Sequence, residues 1–138
     1  MGKMNLILII IIVALLAGGG FMYFMKPGEA ADKKPSAEEL AERSIDTDVI
    51  TTNLATPDHF GIVQFNIQLD SKKAKEETEK RTPEIRAAII STVAGMTKEK
   101  MVGKDGISQL EEELYQKLNK VVSTGKVERV LVTEFKVQ

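Results

Sequence analysis

The sequence predicts an α+β protein in which one N-terminal transmembrane helix precedes a small β-β-α-α-β domain. Three observations carry this. Residues 6–25, "LILIIIIVALLAGGGFMYFM", contain no charged side chain. Residues 61–70, "GIVQFNIQLD", alternate apolar and polar side chains. Residues 106–125 place Ile107, Leu110, Leu114, Leu118, Val121 and Val122 on one helical stripe.

The apolar run comes first in the chain. At ~1.5 Å rise per residue its length matches the ~30 Å hydrocarbon core of a bilayer. Phe21, Tyr23 and Phe24 crowd its C-terminal end, where aromatic rings favour the interface. A buried helix of a soluble protein would keep a polar face, and this run has none. A cleaved signal peptide usually has an apolar core of only ~7–15 residues and a small-residue cleavage site. Here the run ends in the bulky "FMYFMKP", and Ala30 and Ala31 lie too far downstream. The expected division is a cytoplasmic tail (1–5), a retained transmembrane helix (6–25), a stalk (26–44) and an extracytoplasmic domain (45–138). Lys3 flanks one end of the span and Lys26, Lys33 and Lys34 the other, so charge alone orients it weakly. A long domain translocates largely regardless of its charges, and the short tail "MGKMN" suits an inside N-terminus. Within the span, Ala14 and Gly18 are four apart, a spacing of small residues that lets a second helix approach closely.

Composition constrains the part of the chain beyond the span. Of 19 basic residues Lys3 and Lys26 precede Pro27, leaving 17 against 20 acidic residues, a net charge of −3. That balance gives no support for nucleic-acid binding. With no cysteine, a disulfide framework, a thiolate nucleophile and a cysteine zinc site are excluded.

The stalk, "KPGEAADKKPSAEELAERS", is rich in Pro, Ala, Lys and Glu and cannot bury a core. Inside it, Ser36 with Glu39 three residues on forms a capping-box pattern for a short solvated helix. Residues 48–55, "DVITTNLA", are rich in β-branched residues and read as a strand. A turn over residues 56–61 leads into the second strand, with Val63, Phe65, Ile67 and Leu69 on the buried face. The two form a hairpin. Residues 71–81 are almost all charged and read as a solvated helical turn or extension. A helix is expected from Pro83 to Ala94, capped by Thr82 and carrying Ile85, Ala88, Ile89 and Val93 inward. A start near Lys73 with a kink at Pro83 is the alternative. After a glycine loop, the second long helix has Glu111, Glu112 and Glu113 early and Lys117 and Lys120 late, as its dipole favours, and Gly125 ends it. In the last strand Val127, Leu131, Phe135 and Val137 share a face, with Val130 and Val132 on the other. It reads as more deeply buried than the strand of residues 61–70. The expected core of the helix is Leu110, Leu114 and Leu118; that of the last strand is Leu131, Phe135 and Val137.

Enzymatic chemistry finds little to work with. His59 is the only histidine, in a "PDHF" turn. Ser108 and Ser123 have no base beside them, and no G-x-S-x-G elbow exists. Gly18–Gly20 lie in the span, and "GKDG" at Gly103–Gly106 lacks a phosphate-binding context. Glu111–Glu113 read as solvated helix surface. No metal, cofactor or catalytic residue is expected. A three-stranded sheet has edges, and exposed edges pair with neighbours in an oligomer.

A set of positions spread over residues 45–138 carries a resemblance. Asn53–Ala55, "PEIR" at Pro83–Arg86, Gly106 with Leu110, Leu118–Asn119, Gly125 with Val127 and the ending "TEFKVQ" at Thr133–Gln138 together resemble the flagellar basal-body-associated FliL family. The order of anchor, variable linker and domain is similar too. An aspartate often follows the "PEIR" arginine in that family; here the position is Ala87, which is given no role. The resemblance implies a non-enzymatic, single-pass protein of the bacterial cytoplasmic membrane with its N-terminus inside. Its outer domain would resemble the stomatin-like (band 7) domain and form homo-oligomeric rings. Its partners would be the flagellar stator units and basal body, in support of torque, swimming, swarming and chemotactic rotation. A generic single-pass envelope scaffold or secretion-system subunit is the alternative. A membrane-tethered enzyme would need a nucleophile or acid–base pair in a cleft.

Overall fold

Four helices and four strands occupy residues 34–138, the part of the chain that this computed structural model describes. The expected span over residues 6–25, with Ala14 and Gly18, lies outside the described residues. Among the described residues no helix is long and apolar enough to cross a membrane. The elements are α1 (Ala37–Glu42), β1 (Ser44–Asp46), β2 (Ile50–Asn53), β3 (Phe60–Leu69), α2 (Lys72–Lys80), α3 (Thr82–Ala94), α4 (Gly103–Val121) and β4 (Val127–Val137). The architecture is α+β, a sheet with helices packed on one face.

β3 is the centre of the sheet. β4 runs antiparallel along one side of it, and β1 and β2 follow one another along the other. The β-branched residues of 48–55 predict one strand before the turn; the structure has two, β1 and β2. Thr47–Val49, three residues, lie across from Gln64 and Phe65, so the edge strand breaks. Thr47 bridges the break: its N–H donates to the Phe65 carbonyl (2.9 Å), its hydroxyl accepts from the Phe65 N–H (3.0 Å), and its carbonyl accepts from Gln64 Nε2 (2.8 Å).

Alternation in β3 holds as expected. Val63, Phe65, Ile67 and Leu69 expose none of their surface, while Gln64, Asn66 and Gln68 stay half-exposed on the outer face. In β4 it does not hold, because the strand carries two bulges. Its pairing with β3 shifts register between Gln64 and Phe65 and again between Gln68 and Leu69, leaving Thr133 and Glu128 as extra residues. Each extra residue turns the following side chains over. Val127, Val130, Val132, Phe135 and Val137 therefore all pack on the core. Leu131, expected on that face with Phe135 and Val137, sits opposite Asn66 on the outer face, half-exposed. β3, not β4, is the deeply buried strand.

The helices close the core from one side. Leu110, Leu114 and Leu118 on α4 are fully buried beside Ile85, Ile89 and Val93 of α3. Burying each such side chain contributes about 1.5–3 kcal/mol. Asn119 fixes the return to β4: its Nδ2 donates to the Val127 carbonyl (3.1 Å), and its Oδ1 accepts from the Val127 N–H (2.9 Å). The capping box at Ser36 and Glu39 forms, although α1 buries none of its residues.

The charged segment after β3 is a full helix, α2, capped by Ser71 and burying Ala74 and Thr78. It stops at Arg81 because Pro83 has no N–H for the Glu79 carbonyl. Thr82 supplies that bond from its hydroxyl (2.7 Å) instead of capping α3, which has no side-chain cap. The C-terminal half of α2 is clamped through Glu77. Its carboxylate accepts from the Ser123 hydroxyl (2.6 Å), the Thr124 hydroxyl (2.5 Å), the backbone N–H groups of both residues, and Arg81 Nε (2.8 Å). The hydroxyls of Ser123 and Thr124, then the Thr124 N–H, hold this carboxyl well below the usual carboxylate range.

Two glycines are placed by contact. α4 starts at Gly103, three residues earlier than "GISQL" implies, so Gly106 lies inside it. A Cβ at Gly106 would stand 2.5 Å from the Lys100 carbonyl oxygen. Gly125 does not end α4, which stops at Val121; it packs against Asp70 and Ala74.

In a helix interior Gly→Ala normally stabilises by about 0.8–1 kcal/mol. Gly106→Ala is expected to reverse that sign and cost about 1–3 kcal/mol, because backbone blocks the added methyl; urea unfolding measures it. Glu77 contributes stability that is fully present above its unfolded value of about 4.5 and is lost as pH falls below it. Glu77→Gln is therefore expected to lower the melting temperature at pH 7 and to flatten the acid limb of the stability–pH curve, the two proteins converging only as pH falls through the depressed range of the folded carboxyl.

Candidate interaction surface

His59, Ser123 and Glu111 each have structural employment. His59 Nδ1 lies 2.9 Å from the Pro57 carbonyl, in a turn where Asp58 adopts φ 61°. Ser123 donates to Glu77. Glu111, expected as solvated surface, accepts from the Val132 N–H (3.0 Å) and covers part of the outer edge of β4 beside the bulge. Among the described residues no three His, Asp or Glu side chains group as metal ligands.

The concave feature of interest lies where the edge strand breaks. α3 packs over β2, and the missing length of strand between β1 and β2 leaves a cleft of about 250 Å³ under the first half of α3. Its floor is aliphatic, made by Ile45, Ile50, Ile67, Ile85 and Ile89. Asp48 and Arg86 stand on its rim, both exposed; the carboxylate of Asp46 lies on the outer face of the sheet, where it accepts from Asn66 Nδ2 (2.8 Å). Asp48 and Arg86 form no ion pair among the described residues. The hydroxyls lining the cleft are already used: Thr78 donates to the Ala74 carbonyl (2.7 Å) and Thr82 to that of Glu79. The site therefore offers apolar surface and rim charge.

The cleft continues onto exposed apolar surface. Val49, in the strand break, is 48% exposed. α3 turns Ile85, Ile89 and Val93 inward, yet its outward side carries Pro83, Ala87, Ile90 and Ala94, all exposed. α4 by contrast puts Glu112, Gln109 and Lys104 outward. A helix apolar on both sides calls for a partner on both. "TPEIRAAIISTVAGM" shows this in the sequence, since only Glu84 and Arg86 are charged; the strand break that makes the cleft leaves no comparable mark.

A second exposed apolar feature lies past the other end of α3. Val102 is 62% exposed, in the loop between α3 and α4, with exposed Lys98, Lys100 and Lys104 around it. Gly103, at φ 65°, turns the chain directly after it.

The residues singled out from the sequence do not gather in one place. Leu110, Leu114 and Leu118 lie inside the core, Phe135 and Val137 pack on it half-buried, and Leu131 faces outward. None lines the cleft.

Residues 45–138, which contain the cleft, α3 and β4, match the family described as flagellar basal body-associated protein FliL. The chain belongs to the FliL family. Two relatives of that name are similar to it. The flagellar protein FliL of Bacillus subtilis (strain 168) is 36% identical over 118 residues, 84% of each chain. That of Aquifex aeolicus (strain VF5) is 30% identical over 88 residues, 62% of this chain and 55% of its own length. FliL is described by its association with a flagellar structure rather than by a reaction, in keeping with a surface built for contact.

The two sides of α3 separate in a stability measurement. Ile89→Ala empties a buried position and is expected to cost about 2–5 kcal/mol. Ile90→Glu on the outward side is expected to stay within about ±0.5 kcal/mol. Chemical denaturation of the two variants checks the contrast.

Proposed function

We propose that this protein is a membrane-anchored, non-enzymatic accessory of the flagellar motor. Its first apolar run stays uncleaved in the bacterial cytoplasmic membrane with the N-terminus inside, and the domain of residues 45–138 stands on the outer side. There copies assemble side by side, in the manner of stomatin-like domains, and enclose the extracytoplasmic linker of the stator units. In this role the protein supports torque, swimming, swarming and chemotactic switching of rotation. The observation that carries the reading is family membership across the whole folded domain. The apolar outward side of α3 supports it, because such a surface favours protein contact over solvent. Anchoring contributes by confining copies to one plane, which raises their effective concentration.

The direct test is affinity recovery of the full chain from membranes of motile cells. Stator and basal-body proteins are expected in the recovered complex; envelope or secretion proteins in their place would assign the chain to a general scaffold. Ala14→Leu combined with Gly18→Leu is expected to reduce stator recovery without impairing insertion, if the span packs against stator helices; unchanged recovery would leave the span as an anchor alone. Truncation after Thr133 removes Phe135 and Val137 from beside Val63 and Gly61. It is expected to abolish both the folded domain and stator recovery, read by protease resistance and by the same recovery assay.

A further inference from the structure

Two features of the domain complement each other and cannot meet within one chain. The cleft at the strand break has an aliphatic floor and a rim with Asp48 on one side and Arg86 on the other. The Val102 loop presents one aliphatic side chain, 62% exposed, among Lys98, Lys100 and Lys104. The cleft lies against the N-terminal half of α3, through Thr82, Ile85, Arg86 and Ile89. The loop follows the C-terminal end of the same helix and is held to the far turn by the Lys98 N–H donating to Thr56 Oγ1 (2.9 Å). The cleft takes the first eight of the 13 residues of α3, and β2 runs on from Ile50 beside the cleft to Leu54 beside Gly61 and Met101, about 13 Å of strand, so the two stand apart.

We infer that the cleft receives the Val102 loop of a second copy of this chain. Val102 covers the mouth of the cleft, against half-buried Ile45 and over Ile50, Ile85 and Ile89, and the lysines approach Asp48. Arg86, on the opposite rim, faces the Glu99 and Asp105 carboxylates that flank the same loop. Both apolar patches lose water, and charges of both signs meet their opposites, which fixes the register of the contact. The outward side of α3, with Val49 beside the cleft, adds apolar area between the two copies. Because the donor and acceptor surfaces differ, the contact is head-to-tail. Such a contact repeats, and it closes into a ring when the rotation between copies allows. Stalks held in one membrane plane favour closure over an open filament. This inference rests on the side-by-side assembly proposed above and specifies the surfaces that make it.

The chain contains no cysteine, so introduced thiols report without background. Full-length chain carrying Asp48→Cys together with Val102→Cys, oxidised mildly in native membranes, is expected to give a ladder of disulfide-linked oligomers. Either single variant is expected to give none. A bridge needs Cα atoms within about 7 Å, and within one chain the length of β2 holds the two positions farther apart than that. Val102→Asp is expected to remove the oligomers seen by amine-reactive cross-linking of unaltered membranes while leaving the far-ultraviolet circular dichroism of the purified protein unchanged. Asp48→Lys should do the same, and adding Lys98→Glu with Lys100→Glu should restore the oligomers. A double-cysteine chain that stays a single band while the amine-reactive reagent still yields oligomers would overturn the loop-in-cleft contact and leave assembly intact. An unaltered chain that yields no oligomers would overturn both.

Discussion

Val63, Phe65, Ile67 and Leu69 project from one face of β3 and expose nothing to solvent, and the rest of the domain is arranged so that they can do so. A strand buried to this extent needs ladder partners on both sides and a full cover over its inner face. β4 supplies one ladder, and β1 with β2 supplies the other. The inward sides of α3 and α4, together with Ala74 and Thr78 of α2, supply the cover. The direction of this burial organises the fold: one face of one strand is dry, and its other face is left half-exposed.

The partner strands meet this demand imperfectly, and the imperfections have uses. β4 needs two bulges to keep valines and Phe135 inward along the whole of β3. The distortion they bring, with Glu111 covering the Val132 N–H, blunts an edge that would otherwise offer a flat ladder to any extended chain. On the opposite side the break at Thr47–Val49 withdraws strand from beneath α3 and opens the cleft. The surface best suited to recognition thus arises where regular pairing fails, between two elements that are themselves firmly packed. The same separation appears in α3, which fixes the core with Ile85, Ile89 and Val93 and leaves Ile90 and Ala87 exposed.

Much of this is legible in residue patterns, and the failures are informative. Period two in residues 61–70 marks β3 and its buried face, because a central strand with one wet side leaves a clean alternation. The spacing of Leu110, Leu114 and Leu118 marks α4 for the same kind of reason. Leu131 is misplaced by alternation because a bulge adds one residue without changing composition, and counting across it inverts the faces. α2 reads as solvated because its two buried residues, Ala74 and Thr78, are small or polar and carry no apolar signal. Gly106 suggests a loop because glycine weakens a helix in isolation; its value here is the close approach of the Lys100 carbonyl, which only tertiary structure reveals. The strand break is invisible too, since Thr47 replaces a backbone bond with its own hydroxyl and keeps strand-like composition. The family resemblance supplies what periodicity cannot, and the match over residues 45–138 bears that resemblance out.

The proline break between α2 and α3 has a consequence for how the domain loosens. Pro83 ends the backbone ladder between the two helices, so order in α3 does not propagate into α2. α2 is held instead by two small buried side chains, by its Ser71 cap and by the carboxylate of Glu77 on the Ser123–Thr124 loop. Helices attached in this way open as separate cooperative units, at lower free energy than the whole molecule. α2 is thus the domain's detachable segment: its carboxylate clamp stays ionised and closed in mild acid, and only strong acid removes that hold.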